Sequence, residues 1–318
     1  MKNIYSNILK NNNNNIRQVI KFLKKNHVIG IPTETVYGLA ANAYSDKAVK
    51  RIYYLKKRPV KNPLIIHYSK IKDLSKDVEI NKNFLKLYKK LCPGPITFVL
   101  NKKKSSKISK LATARLNTVA VRFPSNKIIK NVLKKIKFPL AIPSANKSSS
   151  ISPVTPYDVY DDFGKKVKII LNGGKCKIGI ESTVVDLTNK TKILRPGIIS
   201  PSVISKIIKS KVTIIKNHKN IKAPGSFKKH YSPGIPMILN QKKVSKNHAF
   251  IVFGKKYSET NNTFNLSKRS DLNEAARNLY KVLRKIKNKK YKKIYVAKIP
   301  EKNIGIAIND RLKHASRK

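Results

Sequence analysis

The chain has 318 residues, 40% of them hydrophobic, which is enough apolar material for one large domain or two of ordinary size and too much for extended disorder. Its 71 Lys and Arg against 15 Asp and Glu give a formal net charge of +56. A surplus of that size suits a polyanion partner, but Lys, Asn and Ile are over-used together, as in an AT-rich coding sequence, so charge alone does not separate a nucleic-acid surface from a merely solvated one.

Ile16, Val19, Ile20 and Leu23 make the stripe of a first helix, and residues 28–32 read as a buried strand ended by proline. Asp46 can cap a helix reaching about residue 57, with Val49, Ile52 and Tyr53 turned inward. Residues 63–68, 96–100 and 118–123 are rich in β-branched and aromatic side chains and read as strands. Ser125 can cap a helix whose apolar face holds Ile128, Ile129, Val132, Leu133 and Ile136. A strand over 139–144, a helix opened by Thr155 and Pro156, strands over 167–172, 182–187 and 192–196, and a helix opened by Ser200 and Pro201 follow. Over 211–236 periodicity fades, and Pro and Gly are spaced through 223–236 as in a linker. Beyond it, strands over 248–253 and 292–299, a helix over 271–287 and a last helix near Asn309 make a small unit. The expected fold class is α/β. It has an open mixed sheet with flanking helices over 1–210, a linker or lid over 211–236, and a small α/β domain over 237–318.

Several catalytic signatures are missing. The sequence holds no phosphate loop, no dinucleotide fingerprint, no nucleophile elbow and no HExxH; residues 172–176 have Gly-Gly-Lys but neither the spacing nor the hydroxyl of a phosphate loop. Cys92 and Cys176 make neither a disulfide framework nor a metal cluster, and no carboxylate pair is set for acid–base work. A hydrolase or dehydrogenase is therefore disfavoured. No apolar run has the length of a membrane span, and the first fifteen residues carry no secretory or transit pattern, so a cytoplasmic protein without a membrane partner is expected.

What recurs instead is a short tract of hydroxyls, amides and cations beside an apolar strand. Thr33, Thr35 and Tyr37 follow the strand over 28–32, at the carboxyl end where open α/β sheets bind ligands; the plainer reading is a strand-to-helix turn. Lys56, Lys57 and Arg58 close a helix ahead of two prolines and Asn62, a grouping that suits phosphate or simply the helix dipole. His67 ends an apolar strand, as core histidines also do. Arg122 lies inside a strand of Val, Ala and Phe, where a guanidinium is costly without an anion; a bound carboxylate or phosphate would serve, as would a local salt bridge. Ser144, Asn146 and Ser152 follow another strand, Glu181, Ser182 and Thr183 follow a glycine pair, and Arg195 ends an apolar run.

Taken in order, PTETVYGLAANA, KKRPVKNPLIIH, CPGPITFVL, TVAVRFP, PSAN, GGKCKIGIESTVVDL and LRPGIIS resemble the YrdC-domain family, the threonylcarbamoyl-AMP synthases. APGSFKKHYSP and the ending NIGIAINDRLKHAS resemble its long form, in which a YrdC-like domain is followed by a Rossmann-like one. The resemblance implies a nucleotidyltransferase that condenses L-threonine, bicarbonate or CO2 and ATP into threonylcarbamoyl-AMP and pyrophosphate. It further implies protein partners that pass the group to the adenosine beside the anticodon of ANN-decoding tRNA. It places Lys56, Arg58, Ser144 and Asn146 on the ATP phosphates, with Lys56 and Arg58 catalytic. Asn62, Thr118, Ser152 and Arg195 should also line the nucleotide, and Tyr231 should fold back over it. Thr35, His67, Arg122, Ser182 and the backbone of Ile142 should surround threonine. Mg2+ is expected with the ATP phosphates and no dedicated metal ligand is expected. Two departures bear on loop geometry: Ser226 and Phe227 stand where the family usually has Met and Tyr, and KSSS follows PSAN where a glycine is usual. The rival readings are a non-catalytic RNA-binding protein with a concave positive face and a carbamoyltransferase of hydrogenase maturation, whose zinc-type cysteines are absent from this sequence.

Overall fold

The computed structural model describes residues 4–215, 230–245, 247–289 and 291–317. After a two-residue strand β1 (Ile8–Leu9) comes helix α1 (Asn13–Lys24), capped by the Asn12 side chain and burying Ile16, Val19 and Leu23, the face its periodicity predicts. Strand β2 (Ile29–Ile31) then turns back into β3 (Gly38–Asn42), antiparallel to it, so the tract holding Thr33 and Thr35 is a hairpin turn rather than a strand-to-helix turn. Helix α2 (Asp46–Lys56) is capped by Ser45, not Asp46; the Ser45 hydroxyl accepts from the Ala48 N–H, and Asp46 is the acid of the first turn.

Strand β4 (Ile65–His67), helices α3 (Ile71–Leu74) and α4 (Lys82–Leu91), and strands β5 (Ile96–Asn101) and β6 (Thr118–Arg122) follow. Asn126 rather than Ser125 caps α5 (Lys127–Lys135), its carboxamide oxygen accepting from the Ile128 N–H at 2.9 Å. After β7 (Leu140–Ala141), Thr155 and Asp158 bond reciprocally to open α6 (Pro156–Phe163), a capping box with proline in the first turn. Strands β8 (Ile170–Leu171), β9 (Thr183–Asp186) and β10 (Lys192–Arg195), helix α7 (Pro201–Ile208) and strand β11 (Thr213–Ile214) finish this part.

Among the described residues these eleven strands form one sheet in the order β1-β8-β2-β3-β7-β4-β6-β5-β9-β10-β11. Five neighbouring pairs are parallel (β1/β8, β2/β8, β4/β6, β5/β9, β10/β11) and the others antiparallel, which makes the sheet mixed. Because β11 pairs with β10, the sheet runs past residue 210, into the stretch that composition alone marks as linker. Helices α1 and α5 cover one face through Ile16, Val19, Leu23, Ile129, Val132 and Leu133, packed on Ile29, Ile31 and Leu140.

The second unit holds β12 (Met237–Ile238), β13 (Ala249–Val252), β14 (Thr263–Asn265), α8 (Leu272–Asn288), β15 (Ile294–Val296) and α9 (Gly305–Ser316). Its four strands are all parallel, in the order β12-β15-β13-β14. Its helix residues Ala275, Ala276, Leu279 and Ile308 belong to the same apolar cluster as Ile180 and Val154 of the first domain, so one continuous core spans both. No helix among the described residues is long and apolar enough to cross a membrane.

Candidate active site

Strands β4 and β6 run parallel with Ile65 opposite Ala120 and His67 opposite Arg122, so these alternate residues share one face. The β2–β3 turn reaches the same place because β3 passes very close to the chain after β7: a Cβ on Gly38 would lie 2.2 Å from Ile142 Cγ2. The resulting cavity holds about 520 Å3 of empty space, its open mouth included. Thr33, Thr35 and Tyr37 line it from the hairpin turn, Ile65, His67 and Arg122 from the sheet, and Ile142 and Ser144 from the loop after β7. Arg58, Glu181, Arg195 and His230 complete it. Three arginines that are widely separated in sequence therefore meet at one opening.

Arg122 is already paired. Its Nη2 donates to Glu34 Oε1 at 2.6 Å and to Thr35 Oγ1 at 3.0 Å, with both charged side chains about as buried as the core. The salt-bridge alternative thus holds in this structure, and Glu34, from the middle of the Thr-Glu-Thr turn, is a site residue that the sequence reading passed over. A lone acid in so basic a chain is the signal that could have marked it. Glu34 Oε2 meanwhile accepts from the backbone N–H groups of Ser125 and Asn126. The Arg122 Nε and the His67 Nε2 are buried without a partner among the described residues, two polar atoms at the same cavity. Burial, and next the Arg122 charge, hold the His67 imidazole well below its usual range, so it is neutral at physiological pH.

Arg58 is aimed by its own turn, Nε donating to Asn62 O at 3.0 Å and Nη2 to Pro63 O at 2.9 Å. Burial lowers its pKa to about 10, which still leaves it charged. Arg195 is held by Ser182, through Nε to the carbonyl and Nη2 to the hydroxyl, and that hydroxyl also bonds Thr97 at 2.7 Å. Lys56 is not among the residues that line the cavity. Its Nζ is buried and donates to the carbonyls of Ser144 (2.6 Å) and Asn146 (2.5 Å), tying the end of α2 to the loop after β7. Asn146 is likewise committed to that loop, accepting from Ser144 Oγ and donating to the carbonyls of Lys147 and Ser150. Asn62 contributes its carbonyl to Arg58, while its side-chain Oδ1 is buried with no partner among the described residues. Thr118 does not line the cavity: it shares the Arg122 face of β6 but stands at the strand's opposite end.

Glu181 is a buried carboxylate that lines the cavity. Its oxygens accept from Ser152 Oγ (2.6 Å), Tyr280 Oη (2.8 Å) and Arg311 Nε (3.1 Å), the last two from the C-terminal domain. Burial works to raise its pKa, but the Arg311 and Arg195 charges and the Ser152 bond outweigh it and bring it down to about 2. Tyr231 is buried against this group, stacked on Tyr280 at 5.8 Å and lying 5.4 Å from the Arg311 guanidinium carbon. It adopts φ +62°, an uncommon conformation for a bulky residue, and its hydroxyl has no partner among the described residues. His230 beside it faces the cavity, its pKa lowered to about 3 chiefly by burial. The two unusual residues Ser226 and Phe227 lie outside the described residues. The other departure is visible: Ser149, in the KSSS tract, has φ +65°, the left-handed region that glycine enters more easily.

Residues 21–197 match the Sua5/YciO/YrdC family model, described as "Telomere recombination", and residues 199–317 match "Threonylcarbamoyl-AMP synthase, C-terminal domain". The threonylcarbamoyl-AMP synthase of Pyrococcus abyssi is 36% identical over 95% of this chain and 94% of its own length. That of Bacillus subtilis is 32% identical over 97% and 94%. The crystal structure of P. abyssi Sua5 complexed with L-threonine superposes with a TM-score of 0.87 at 35% identity, covering 95% of this chain and 94% of that one. With both domains matched and nearly the full length of these relatives covered, the chain belongs to the threonylcarbamoyl-AMP synthase family, in its two-domain form.

Proposed function

We propose that this protein is an L-threonylcarbamoyladenylate synthase, an adenylyl-transferring enzyme that joins L-threonine, bicarbonate or CO2 and ATP and releases pyrophosphate. The observation that carries this reading is the meeting of Arg58, Arg122 and Arg195 with Thr35 and His67 at one cavity. The threonine amine adds to CO2 and loses a proton, giving a carbamate. A carbamate oxygen then attacks the α-phosphorus of ATP, and the bond to pyrophosphate breaks. Positioning and charge neutralisation are the main demands on the protein in such a step.

Thr35, His67, Arg122, Ser182 and Ile142 make the threonine end. The Ile142 N–H already donates to Ile65 O at 2.9 Å, so a ligand would meet its carbonyl, an acceptor suited to an amine. A threonine carboxylate would take the unused Arg122 Nε, and the neutral His67 Nε2 suits the hydroxyl. Arg58 and Arg195 neutralise the ATP phosphates, with Ser144 beside them. Ser152, whose hydroxyl donates to Glu181, stands at the nucleotide end; Lys56 and Asn146 serve as supports that set the loops carrying those groups, and Asn62 shapes the Arg58 turn. Tyr231 and His230 close the nucleotide end against water, which would hydrolyse the mixed anhydride.

Glu181 at the cavity and Glu34, the partner of Arg122, have their oxygens committed to protein donors, and no group of three His, Cys, Asp or Glu among the described residues could hold a metal. These donors do not fit a protein-held metal, so Mg2+ enters as the ion that ATP phosphates carry. The product would go to partner proteins that threonylcarbamoylate the adenosine beside the anticodon of ANN-decoding tRNA. The test is pyrophosphate release with ATP, bicarbonate and Mg2+, which must depend on threonine. Arg58→Ala should abolish it while circular dichroism and the melting temperature stay near wild type. Release without threonine, or near-normal turnover by Arg58→Ala, overturns the assignment.

A further inference from the structure

The C-terminal domain holds the cavity at three points, and each point lies one residue from a group placed at the substrates. Arg311 on α9 is completely buried, donating through Nε to Glu181 Oε2 at 3.1 Å and through Nη1 to Pro196 O at 2.7 Å. Tyr280 on α8 donates to the same carboxylate at 2.8 Å. Arg284, one helical turn further on, donates through Nη2 to Ile151 O at 2.7 Å, braced by Asp162 at 2.7 Å. Glu181 precedes Ser182, Pro196 follows Arg195, and Ile151 precedes Ser152. Helix α8 lies so near this part that a Cβ on Gly179, at φ +84°, would be 2.6 Å from Arg277 Cα.

An interface that only joined two domains would gain as much from apolar contacts, because a buried ion pair is rarely more stable than well-packed hydrophobic residues of the same volume. Here the fully buried Arg311 and the largely buried Arg284 are anchored on backbone carbonyls beside site residues, and one anchor, Glu181, itself lines the cavity. We infer that Arg284, Tyr280 and Arg311 are positioning residues for adenylate formation: the C-terminal domain sets the places of Ser152, Ser182 and Arg195, and hence how the cavity grips its substrates. This rests on the functional reading above. The division of labour is specific. Arg284 bonds Asp162 of α6 and, among the site segments, that of Ser152 at the nucleotide end. Arg311 holds both Glu181, beside Ser182 at the threonine end, and Pro196, beside Arg195 at the nucleotide end.

The experiment compares Arg284→Met, Arg311→Met, Arg311→Lys and the core control Leu283→Ala in the full-length protein, by steady-state KM for each substrate, calorimetric binding and melting temperature. Arg284→Met should raise the ATP KM about fivefold to tenfold and leave the threonine KM within about twofold. Arg311→Met should raise both constants, and Arg311→Lys should recover part of the loss. Leu283, 1% exposed on the same helix, should lower the melting temperature on truncation without moving either constant. If Arg284→Met leaves the ATP constant unchanged, or moves both constants as Leu283→Ala does, the domain merely adheres and the inference fails. Wild-type protein that lacks threonine-dependent release would instead refute the functional reading, and calorimetric ATP affinity would still judge the positioning claim. Should Arg311→Met fail to fold, Arg284→Met decides the matter alone.

Discussion

Replacing Glu34 with Gln isolates the Arg122 ion pair with little change of shape. The pair spans 2.6 Å between side chains only 5% and 6% exposed, and Glu34 also accepts from two backbone N–H groups on the chain after β6. Losing the charge-assisted bond removes about 1.5–3 kcal/mol. The new amide must also point a donor either at the guanidinium or at the Ser125 N–H, which adds about 1–3 kcal/mol for an unmatched group. The total of about 4 kcal/mol agrees with the usual effect of removing one member of a buried pair. Urea unfolding with and without saturating threonine measures it. The variant should lose about that much in the free state, and threonine should stabilise it by more than it stabilises wild type, because the ligand carboxylate supplies the anion that Glu34 no longer provides. A loss below about 1 kcal/mol, together with an unchanged threonine effect, would mean that Arg122 is compensated elsewhere and that its pairing with Glu34 is incidental.

Two further expectations concern stability. Ser149→Gly relieves a left-handed backbone at φ +65° and keeps the carbonyl that accepts from Ser232, so it should stabilise the protein by about 0.5–1 kcal/mol in chemical denaturation; a destabilised variant would refute the strain argument. The Glu181 carboxyl lies at about 2 against an ordinary 4.5, so its contribution is fully present above about pH 4.5 and is lost as pH falls through about 2. Its size is about 3 kcal/mol. Stability measured across that window should fall in wild type and change less in Glu181→Gln; equal slopes would show that Glu181 is not held ionised by Arg311 and Arg195.

Local patterns carried much of the architecture. The buried faces of α1, α2 and α5 are those that the spacing of Ile16, Val49 or Val132 indicates, and Thr155, Ser200 and Asp271 cap helices where their side chains can reach a free N–H. Errors fell where the signal is short. Ser45 and Asn126 displaced the adjacent Asp46 and Ser125 as caps, a choice made by one residue of backbone geometry. Helix α4 escaped notice, although Asn81 caps it and Phe84 and Leu87 bury three residues apart, because its lysines dilute a ten-residue stripe. Strands β1 and β11, which the pattern did not show, have two residues each and owe their form to the neighbours they pair with.

At the site, residue type revealed which groups deal with anions, since arginines and hydroxyls beside apolar strands need polar partners. That part lies in the sequence alone, as do the motif order and the two-domain plan. Which partner each group takes was decided only by the tertiary structure. Glu34 reaches Arg122 across 88 positions, Arg311 reaches Glu181 across 130, and Lys56 turns from the cavity to the Ser144 and Asn146 carbonyls. Such pairings leave no local trace, because a buried charge is satisfied by whichever opposite group the packed chain brings within hydrogen-bonding distance, however far apart the two stand in sequence.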